Sequence, residues 1–357
     1  MNDLRDDLRD LAREAPSVDL ATRAMSLARR RRAVRLAVTV AAAVAVVTGS
    51  TAVLTRLPEQ HAVVVTPPSP SATSVLPLPE QGVGALQQAY QEDGEWRLVT
   101  WQGEVYDASE LVKGEVVPAI TQDGRRIAYF DGELRTIVLR DLESGQVWEA
   151  PLTLPAGVFD TEYAIRLSPS GKRMIVAGWG TSQPRHVLVD LDAGTVKDLN
   201  KAWFPVSVSD SGEAVLIRPF DDVTRLRLLG RDPITLPDFT HYFSALGPDG
   251  RTIARLGQTH DPDREPQIQE DGTIVLTDVI SGVDQAKVPL SGIPDTLHVV
   301  RLGGWRNKEE ITLFAAPESA WKGPAGVVYA VNVHTGQARA VFEAAPAQRN
   351  LIPGLVW

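Results

Sequence analysis

The chain has 357 residues, of which 43% are hydrophobic and 23% charged, and this composition excludes a protein that is disordered throughout. Its net charge of −9 argues against nucleic-acid binding, which requires a basic face. The chain contains no cysteine, so disulfides, thiolate zinc sites and thiol catalysis are excluded. Residues 1–35 carry nine Arg against six Asp or Glu, and the remainder has a net charge of −12. This difference in charge predicts that the two parts of the chain lie in different compartments.

Residues 1–35 are predicted to form a cytoplasmic helical tail. Leu4, Leu8 and Leu11 fall on one face of a helix, which Pro16 interrupts. This apolar face has no partner within so short a tail, so it is a candidate docking face for a cytoplasmic regulator. The arginines at positions 29–32 and 35 set membrane topology and contact anionic lipid, or alternatively dock a cytoplasmic protein.

A single transmembrane helix is predicted for the 20 residues from Leu36 to Thr55, which contain no charged side chain. About 20 apolar residues cross a hydrocarbon core of ~30 Å. The alternative is a cleaved signal peptide, but the preceding 35 residues are longer than the usual leader of such a signal. The arginines before the span place the N-terminus in the cytoplasm and the rest of the chain outside. We therefore expect a single-pass protein of the cell membrane.

Residues 56–84 are predicted to be a linker. Six prolines lie between Pro58 and Pro79, among Ser, Thr and Ala. Proline at this density gives an extended, semi-rigid spacer. The linker would hold the following domain away from the membrane surface.

From residue 85 to 357 the pattern changes to short strands separated by two series of turns. In one series an Asp or Asn is followed by an aliphatic residue, a residue of any type, a small residue and a Gly. The four copies begin at Asp141, Asp190, Asp278 and Asn332, and the wide middle gap predicts a degenerate copy near Leu229-Gly230. The other series has glycines at 124, 171, 212 and 250. Repeats of this length are typical of a β-propeller.

The predicted fold is therefore an all-β, six-bladed propeller of four-stranded sheets, with seven blades as the alternative. The segment from Leu351 to Trp357 is expected to close the ring by joining a strand from its start. Two blades carry insertions, at 258–271 and 315–325. The predicted blades are centred on residues 85–118, 119–157, 160–203, 204–240, 241–296 and 297–345.

The repeat units resemble those of WD40-like and TolB-type propellers over roughly residues 119–343. The resemblance is carried by Ser168-Pro-Ser-Gly-Lys-Arg-Met-Ile-Val176 followed by Val187-Leu-Val-Asp-Leu-Asp-Ala-Gly194. The Gly-His and Trp-Asp dipeptides of standard WD40 units are absent, which favours the looser bacterial variants. The resemblance implies a propeller but no particular activity. The head, from Asp6 to Pro16 with the arginine cluster, is similar to the tails of actinobacterial single-span proteins, some of which are anti-sigma-like regulators.

Motifs for catalysis and cofactor binding are missing from the sequence. It has no phosphate-binding Gly-rich loop, no Gly-x-Ser-x-Gly elbow and no pair of histidines at metal-ligand spacing. The most polar segment is the first insertion, with His260, Asp261, Asp263 and Arg264. It is interpreted as a solvated loop that can contact a partner, with a hard-cation site as the alternative. We expect no cofactor and no metal.

Eight tryptophans occur, and most are expected to pack between blades. Trp179 and Trp321 lie in predicted loops and, with Trp305, are candidates for a recognition face. The leading functional hypothesis is a non-catalytic module that displays such a face to a protein, peptide or glycan outside the cell. One alternative is a transmembrane sensor whose tail binds a transcription factor such as a sigma factor. A propeller lyase or glycosidase is the other alternative, although no spacing singles out the carboxylate pair that it needs.

Overall fold

The computed structural model shows an all-β fold of 24 strands in the residues that it describes. These are residues 74–113, 116–160, 162–180, 184–219, 223–236, 239–240, 242–260, 268–317, 326–345, 347 and 349–355. The predicted cytoplasmic tail, the predicted membrane span and the linker up to residue 73 lie outside them. Within the described ranges, no helix is both long and apolar enough to cross a bilayer.

Six sheets, antiparallel except for one added strand in the first, follow one another along the chain, which confirms the six-bladed propeller. From the centre outwards, blade 1 contains β24 (Arg349–Leu351), β2 (Leu86–Glu92), β3 (Glu95–Thr100), β4 (Val105–Asp107) and β1 (Leu76–Pro77). Blade 2 contains β5 (Ala119–Ile120), β6 (Arg126–Asp131), β7 (Thr136–Asp141) and β8 (Val147–Glu149). Blade 3 contains β9 (Tyr163–Leu167), β10 (Arg173–Gly178), β11 (Arg185–Asp190) and β12 (Thr195–Asp198).

The remaining blades have the same order. Blade 4 contains β13 (Phe204–Val208), β14 (Ala214–Pro219), β15 (Thr224–Leu228) and β16 (Ile234–Leu236). Blade 5 contains β17 (Thr252–His260), β18 (Ile268–Asp278) and β19 (Asp284–Pro289), and a bridge from Phe243 to Arg255 holds its innermost position. Blade 6 contains β20 (His298–Trp305), β21 (Glu310–Ala316), β22 (Val327–Asn332) and β23 (Ala338–Glu343).

The hydrophobic core lies between neighbouring blades. The middle strands are therefore buried on both faces, and β7 buries Ile137, Val138 and Leu139 in succession. Ile137 and Leu139 belong to the same cluster as Met174 and Val176 of blade 3. The outermost strands, such as β8 and β12, are largely exposed. Stacking of consecutive sheets through apolar middle strands is what forms the ring.

The first turn series owes its sequence to a side chain that caps a tight turn. Asp141 Oδ1 accepts hydrogen bonds from the backbone N–H groups of Glu143 and Ser144, at 3.0 Å each. Gly145 then adopts a φ of +76°, a conformation that favours glycine. In the other three copies of the turn, a backbone N–H donates in the same way to Oδ1 of Asp190, Asp278 or Asn332. Gly230, with a φ of +87°, confirms the degenerate copy.

The ring closes through the end of the chain, as predicted, although the closing strand begins two residues earlier than expected. β24 pairs with β2, with Leu351 opposite Ala89. Leu355 then forms a bridge to Gly303 on β20 of blade 6. The last residues of the described chain therefore contact both the first and the last blade. Val356 and Trp357 lie outside the described residues.

The folded unit also begins earlier than residue 85. β1 adds a parallel edge strand to β4, a position in which Pro77 is tolerated because an edge strand needs no donor on its outer side. The Arg140 side chain donates to the carbonyl of Pro79 at 2.6 Å. The backbone N–H groups of Val83 and Gly84 donate to the carbonyl of Leu142. Residues 76–84, which the sequence placed in the linker, thus run along blades 1 and 2.

Candidate functional site

The two faces of the ring differ in the connections that they carry. On the face that we call the turn face lie the turns between the two inner strands of blades 2 to 5, at 121–124, 168–171, 209–212 and 247–250. Consecutive turns touch: the backbone N–H and hydroxyl of Ser170 donate to Asp210 Oδ1 at 3.0 and 2.6 Å. The opposite face, the loop face, carries the hairpins between the second and third strands and the connections from one blade to the next.

A cavity of about 1380 Å³ runs through the middle of the ring. Its walls are the innermost strands β5, β9, β13, β20 and β24, together with residues 245–248 of blade 5. It reaches the turn face, where residues of the turns, including Asp123, Ser170 and Asp210, line its mouth. We call this cavity the central channel.

An arginine in the channel wall has a second arginine near it, from the opposite blade. Arg166 lies on β9 of blade 3 and lines the channel, and Arg301 lies on β20 of blade 6. Burial lowers the pKa of Arg166 to about 10. Burial, followed by the positive charge of Arg166, lowers the pKa of Arg301 to about 9. Both guanidinium groups remain charged at neutral pH, and they are close enough to repel each other.

Tyr242 of blade 5 lies near Arg301, and Glu270 of the same blade lies near Tyr242. Burial raises the pKa of Tyr242, and the charge of Glu270 raises it further, so the phenol is neutral at physiological pH. Burial also raises the pKa of Glu270. The neighbourhood therefore contains two guanidinium groups and a phenolic hydroxyl, which are groups of the kind that bind carboxylates.

The mouth of the channel has mixed charge and is crossed by one side chain. The amide of Gln122, from blade 2, donates to the carbonyl of Trp305 in blade 6. Arg339 and Glu310 form an ion pair of 3.0 Å beside this crossing. The charges at the mouth of the channel therefore neutralise each other, whereas the charge of Arg166 lies deeper in the channel.

The predicted recognition tryptophans do not come together. Trp305 ends β20 at the turn face, is only 7% exposed, and donates its indole N–H to the carbonyl of Ala245 at 2.8 Å. Trp179 follows β10 at the loop face, where it stacks on Phe204 of the next blade at 4.9 Å. The two rings belong to opposite blades and opposite faces. Trp321 lies outside the described residues.

The polar insertion of blade 5 is only partly described. β17 ends at His260, whose backbone pairs with Ile268 at the start of β18, so residues 258–260 and 268–271 extend a hairpin. Asp261, Asp263 and Arg264 lie outside the described residues. No group of three His, Asp or Glu side chains that could hold a metal ion occurs in the described part of the chain.

Sequence reasoning missed the arginine pair of the channel. A signal was present, because Arg166 follows Ala164 and Ile165 within a strand that is otherwise apolar. A charged residue in an innermost strand faces either the core or the channel, and the core disfavours it. Only the ring geometry shows that Arg301, 135 positions later, approaches the same space.

Comparison with known proteins finds similarity in solved structures alone. No protein-family model matches the chain, and no curated protein matches it. TolB from Acinetobacter baumannii is 16% identical, with a TM-score of 0.48, over 76% of this chain and 66% of TolB. A putative TolB from Agrobacterium tumefaciens is 12% identical, with a TM-score of 0.44, over 76% of this chain and 92% of the other. The tricorn protease is 13% identical, with a TM-score of 0.44, over 78% of this chain and 32% of the protease. The chain thus spans about two thirds of the first of these proteins and about a third of the last.

Proposed function

We propose that this chain is a non-catalytic binding module whose central channel receives an anionic group, such as a carboxylate, from a partner protein. The observation that carries the proposal is the buried guanidinium of Arg166 in the channel wall, with that of Arg301 near enough to repel it. Each guanidinium is desolvated, and each raises the energy of the other. An anion placed near them would offset the repulsion between the two positive charges.

The channel favours a protein ligand over a small free anion because of its size. Its volume of about 1380 Å³ exceeds the ~300–1,000 Å³ that is usual for small-molecule sites. Its mouth is wide enough to be lined by turns from several blades. A flexible segment or chain terminus with acidic side chains would fill the channel and place a carboxylate at the arginines.

Isothermal titration calorimetry on the full chain in lipid nanodiscs tests this proposal. The probes are a 12-residue peptide rich in Asp and Glu and its counterpart in which Asn and Gln replace them. Binding should require the acidic peptide, weaken as salt screens the charges, and weaken at least tenfold in the Arg166→Gln/Arg301→Gln variant. The matched control is Arg231→Gln, which removes an exposed arginine from a turn of blade 4 and should change the affinity less than twofold.

The channel variant should fold, because Gln keeps a polar side chain at both positions and the repulsion between the two charges is removed. A melting temperature at or above that of the parent chain would confirm this point. Equal affinity for the acidic and the neutral peptide would overturn the proposal, as would unchanged affinity in the double variant. Turnover of a peptide-substrate library, abolished by the same variant, would replace a binding module with an enzyme.

The location of the module is part of the proposal. The supporting evidence is the uncharged stretch from Leu36 to Thr55 after the arginine cluster. The propeller would then lie outside the cell, held by the span and the proline-rich linker. Protease added to intact cells should digest the propeller, whereas a fusion to the N-terminus should stay protected. A propeller that is digested only after lysis would refute this topology.

A signalling role is a second candidate, favoured by the apolar face of Leu4, Leu8 and Leu11. The full chain should then retain a cytoplasmic regulator, and Leu8→Asp should release it while leaving channel binding unchanged. Recovery of the same proteins with both chains would remove this candidate.

A further inference from the structure

A second cavity, of about 450 Å³, opens on the loop face between blades 2 and 3. We call it the loop-face pocket; its walls are Val116, Phe130, Gly157, Val158, Phe159 and Asp160. The Phe130 and Phe159 rings meet edge to face, with their centroids 5.0 Å apart. Phe159 packs in the same manner on Tyr163, at 5.3 Å. The aromatic walls are thus held in place before any ligand arrives.

The hairpin that follows Phe130 on the loop face is held by hydrogen bonds. Asp131 Oδ1 accepts hydrogen bonds from the backbone N–H groups of Glu133 and Leu134, at 2.9 Å each. Arg135 has a positive φ of 55°, and its Nε and Nη2 atoms donate to the carbonyl of Leu154 at 3.1 and 2.8 Å. Leu134 in this hairpin is 50% exposed, so it adds to the apolar surface of the loop face that a partner can cover.

The loop face around the pocket is acidic. Among the described residues between 92 and 162, the exposed carboxylates on this face are Glu92, Asp93, Glu95, Glu110, Glu133, Glu149, Asp160 and Glu162. The described cations on the same stretch of the face are Arg97, Lys113 and Arg135. Arg97 forms ion pairs with Asp107, at 2.8 Å, and with Glu95. Lys113 lies 3.9 Å from Glu110, and Arg135 is held by the Leu154 carbonyl, so the other six of these carboxylates have no such pair among these cations. Negative charge therefore dominates the approach to the pocket.

We propose that the loop-face pocket binds a lysine or arginine side chain of a basic polypeptide. The long aliphatic stem of such a side chain would lie against Phe130 and Phe159, and its charged head would reach Asp160. Lysine and arginine combine an apolar stem with a charged tip, which is the combination that these walls require. The aromatic faces add a cation–π attraction. The surrounding carboxylates attract the neighbouring basic residues of the same segment and repel acidic ones.

Fluorescence anisotropy on the full chain in nanodiscs tests the proposal. The probe is a labelled 12-residue peptide of alternating Lys and Ala, compared with the same peptide carrying Gln for Lys. The test variant is Asp160→Lys, which reverses the charge of an exposed pocket residue and should not disturb folding. The matched control is Glu309→Lys, an equal change at an exposed position on the turn face. Phe130→Leu tests the aromatic wall separately.

The lysine peptide should bind at least tenfold more tightly than the glutamine peptide, and 0.5 M salt should abolish most of this difference. Asp160→Lys should weaken binding at least tenfold, Phe130→Leu about threefold, and Glu309→Lys less than twofold. Equal losses in Asp160→Lys and Glu309→Lys would show attraction by the net charge alone and would overturn the proposal. An Asp160→Lys variant with unchanged affinity would also overturn it.

Discussion

His186 is predicted to make this propeller sensitive to acid. The side chain, on β11, is 3% exposed, and its ring meets the edge of Trp179 at 4.2 Å. Burial, followed by the positive charge of Lys201, lowers its pKa from 6.5 to about 4. The folded protein therefore keeps this imidazole neutral at a pH where the unfolded chain protonates it.

The size and sign of the effect follow from proton linkage. Above pH 6.5 the imidazole is neutral in both states, so its titration does not change the free energy of unfolding. Between pH 6.5 and about 4 only the unfolded chain takes up the proton, and stability falls as the pH falls. At ~1.4 kcal/mol per pH unit, the fall from 6.5 to about 4 amounts to about 3 kcal/mol.

Guanidinium unfolding followed by far-UV circular dichroism, repeated from pH 7.5 to pH 4, measures this pH dependence of the free energy of unfolding. The variant His186→Phe keeps an aromatic ring against Trp179 and removes the titration. The free energy of unfolding of the parent should fall by about 3 kcal/mol more than that of the variant over this range. Aspartates with lowered pKa values, such as Asp190, also destabilise the fold in acid, but both proteins contain them, so the difference isolates His186. The control His334→Gln, at an exposed turn, should follow the parent. Parallel pH profiles for parent and His186→Phe would refute the reasoning.

Three further predictions concern stability. Asp284→Ala removes the carboxylate that lies 2.8 Å from Arg255, whose side chain is 1% exposed. The free energy of unfolding in denaturant should fall by about 3 kcal/mol, at the low end of ~3–5 kcal/mol because the Asp284 side chain is 39% exposed. A loss below 1 kcal/mol would contradict this prediction. Gly336→Ala places a Cβ 1.9 Å from a backbone oxygen, at a residue with a positive φ. Gly194 also has a positive φ, but a Cβ there would lie in open space, so Gly194→Ala should lower the free energy of unfolding by only ~1–2 kcal/mol. Gly336→Ala should therefore lower the melting temperature clearly more than Gly194→Ala. Deletion of residues 349–357 removes the innermost strand of blade 1 and should give an aggregating product in size-exclusion chromatography; a monodisperse, equally stable ring would count against closure through β24.

The repeat architecture was predictable because its signals are local. A capping carboxylate and a glycine within five residues, as at Asp141 and Gly145, specify one turn without any distant contact. Their recurrence predicted six blades, with seven as the alternative, and the phase of the strands. The closing strand was predictable because a ring needs its last segment beside its first. Residues 76–84 were misplaced in the linker, because proline-rich segments look alike whether they are free or pair as an edge strand.

The candidate sites were less accessible to sequence reasoning because they depend on distant residues. Trp305 reads as a recognition residue by type, yet its burial depends on Ala245 in the neighbouring blade. The meeting of Arg166 with Arg301 requires the whole ring to close. Likewise, Phe130 on β6 and Phe159 in the connection from blade 2 to blade 3 are 29 positions apart. A periodic pattern predicts which strands stack, but it does not identify which side chains meet across the ring.

The channel mouth and the loop-face pocket lie on opposite faces, and this separation predicts that the two sites act independently. The charges that matter are those of Asp160 and Arg166, which are six residues apart in the chain. Even at ~10 Å two unit charges in water interact by only about 0.4 kcal/mol, before screening by salt over a Debye length of about 8 Å. Asp160→Lys should therefore change the affinity for the acidic peptide less than twofold. The Arg166→Gln/Arg301→Gln variant should likewise leave the affinity for the lysine peptide within twofold. A tenfold cross-effect in either direction would mean that the two faces are coupled through the blades or that both peptides bind one site. Independent sites would allow the propeller to hold two partners of opposite charge at once.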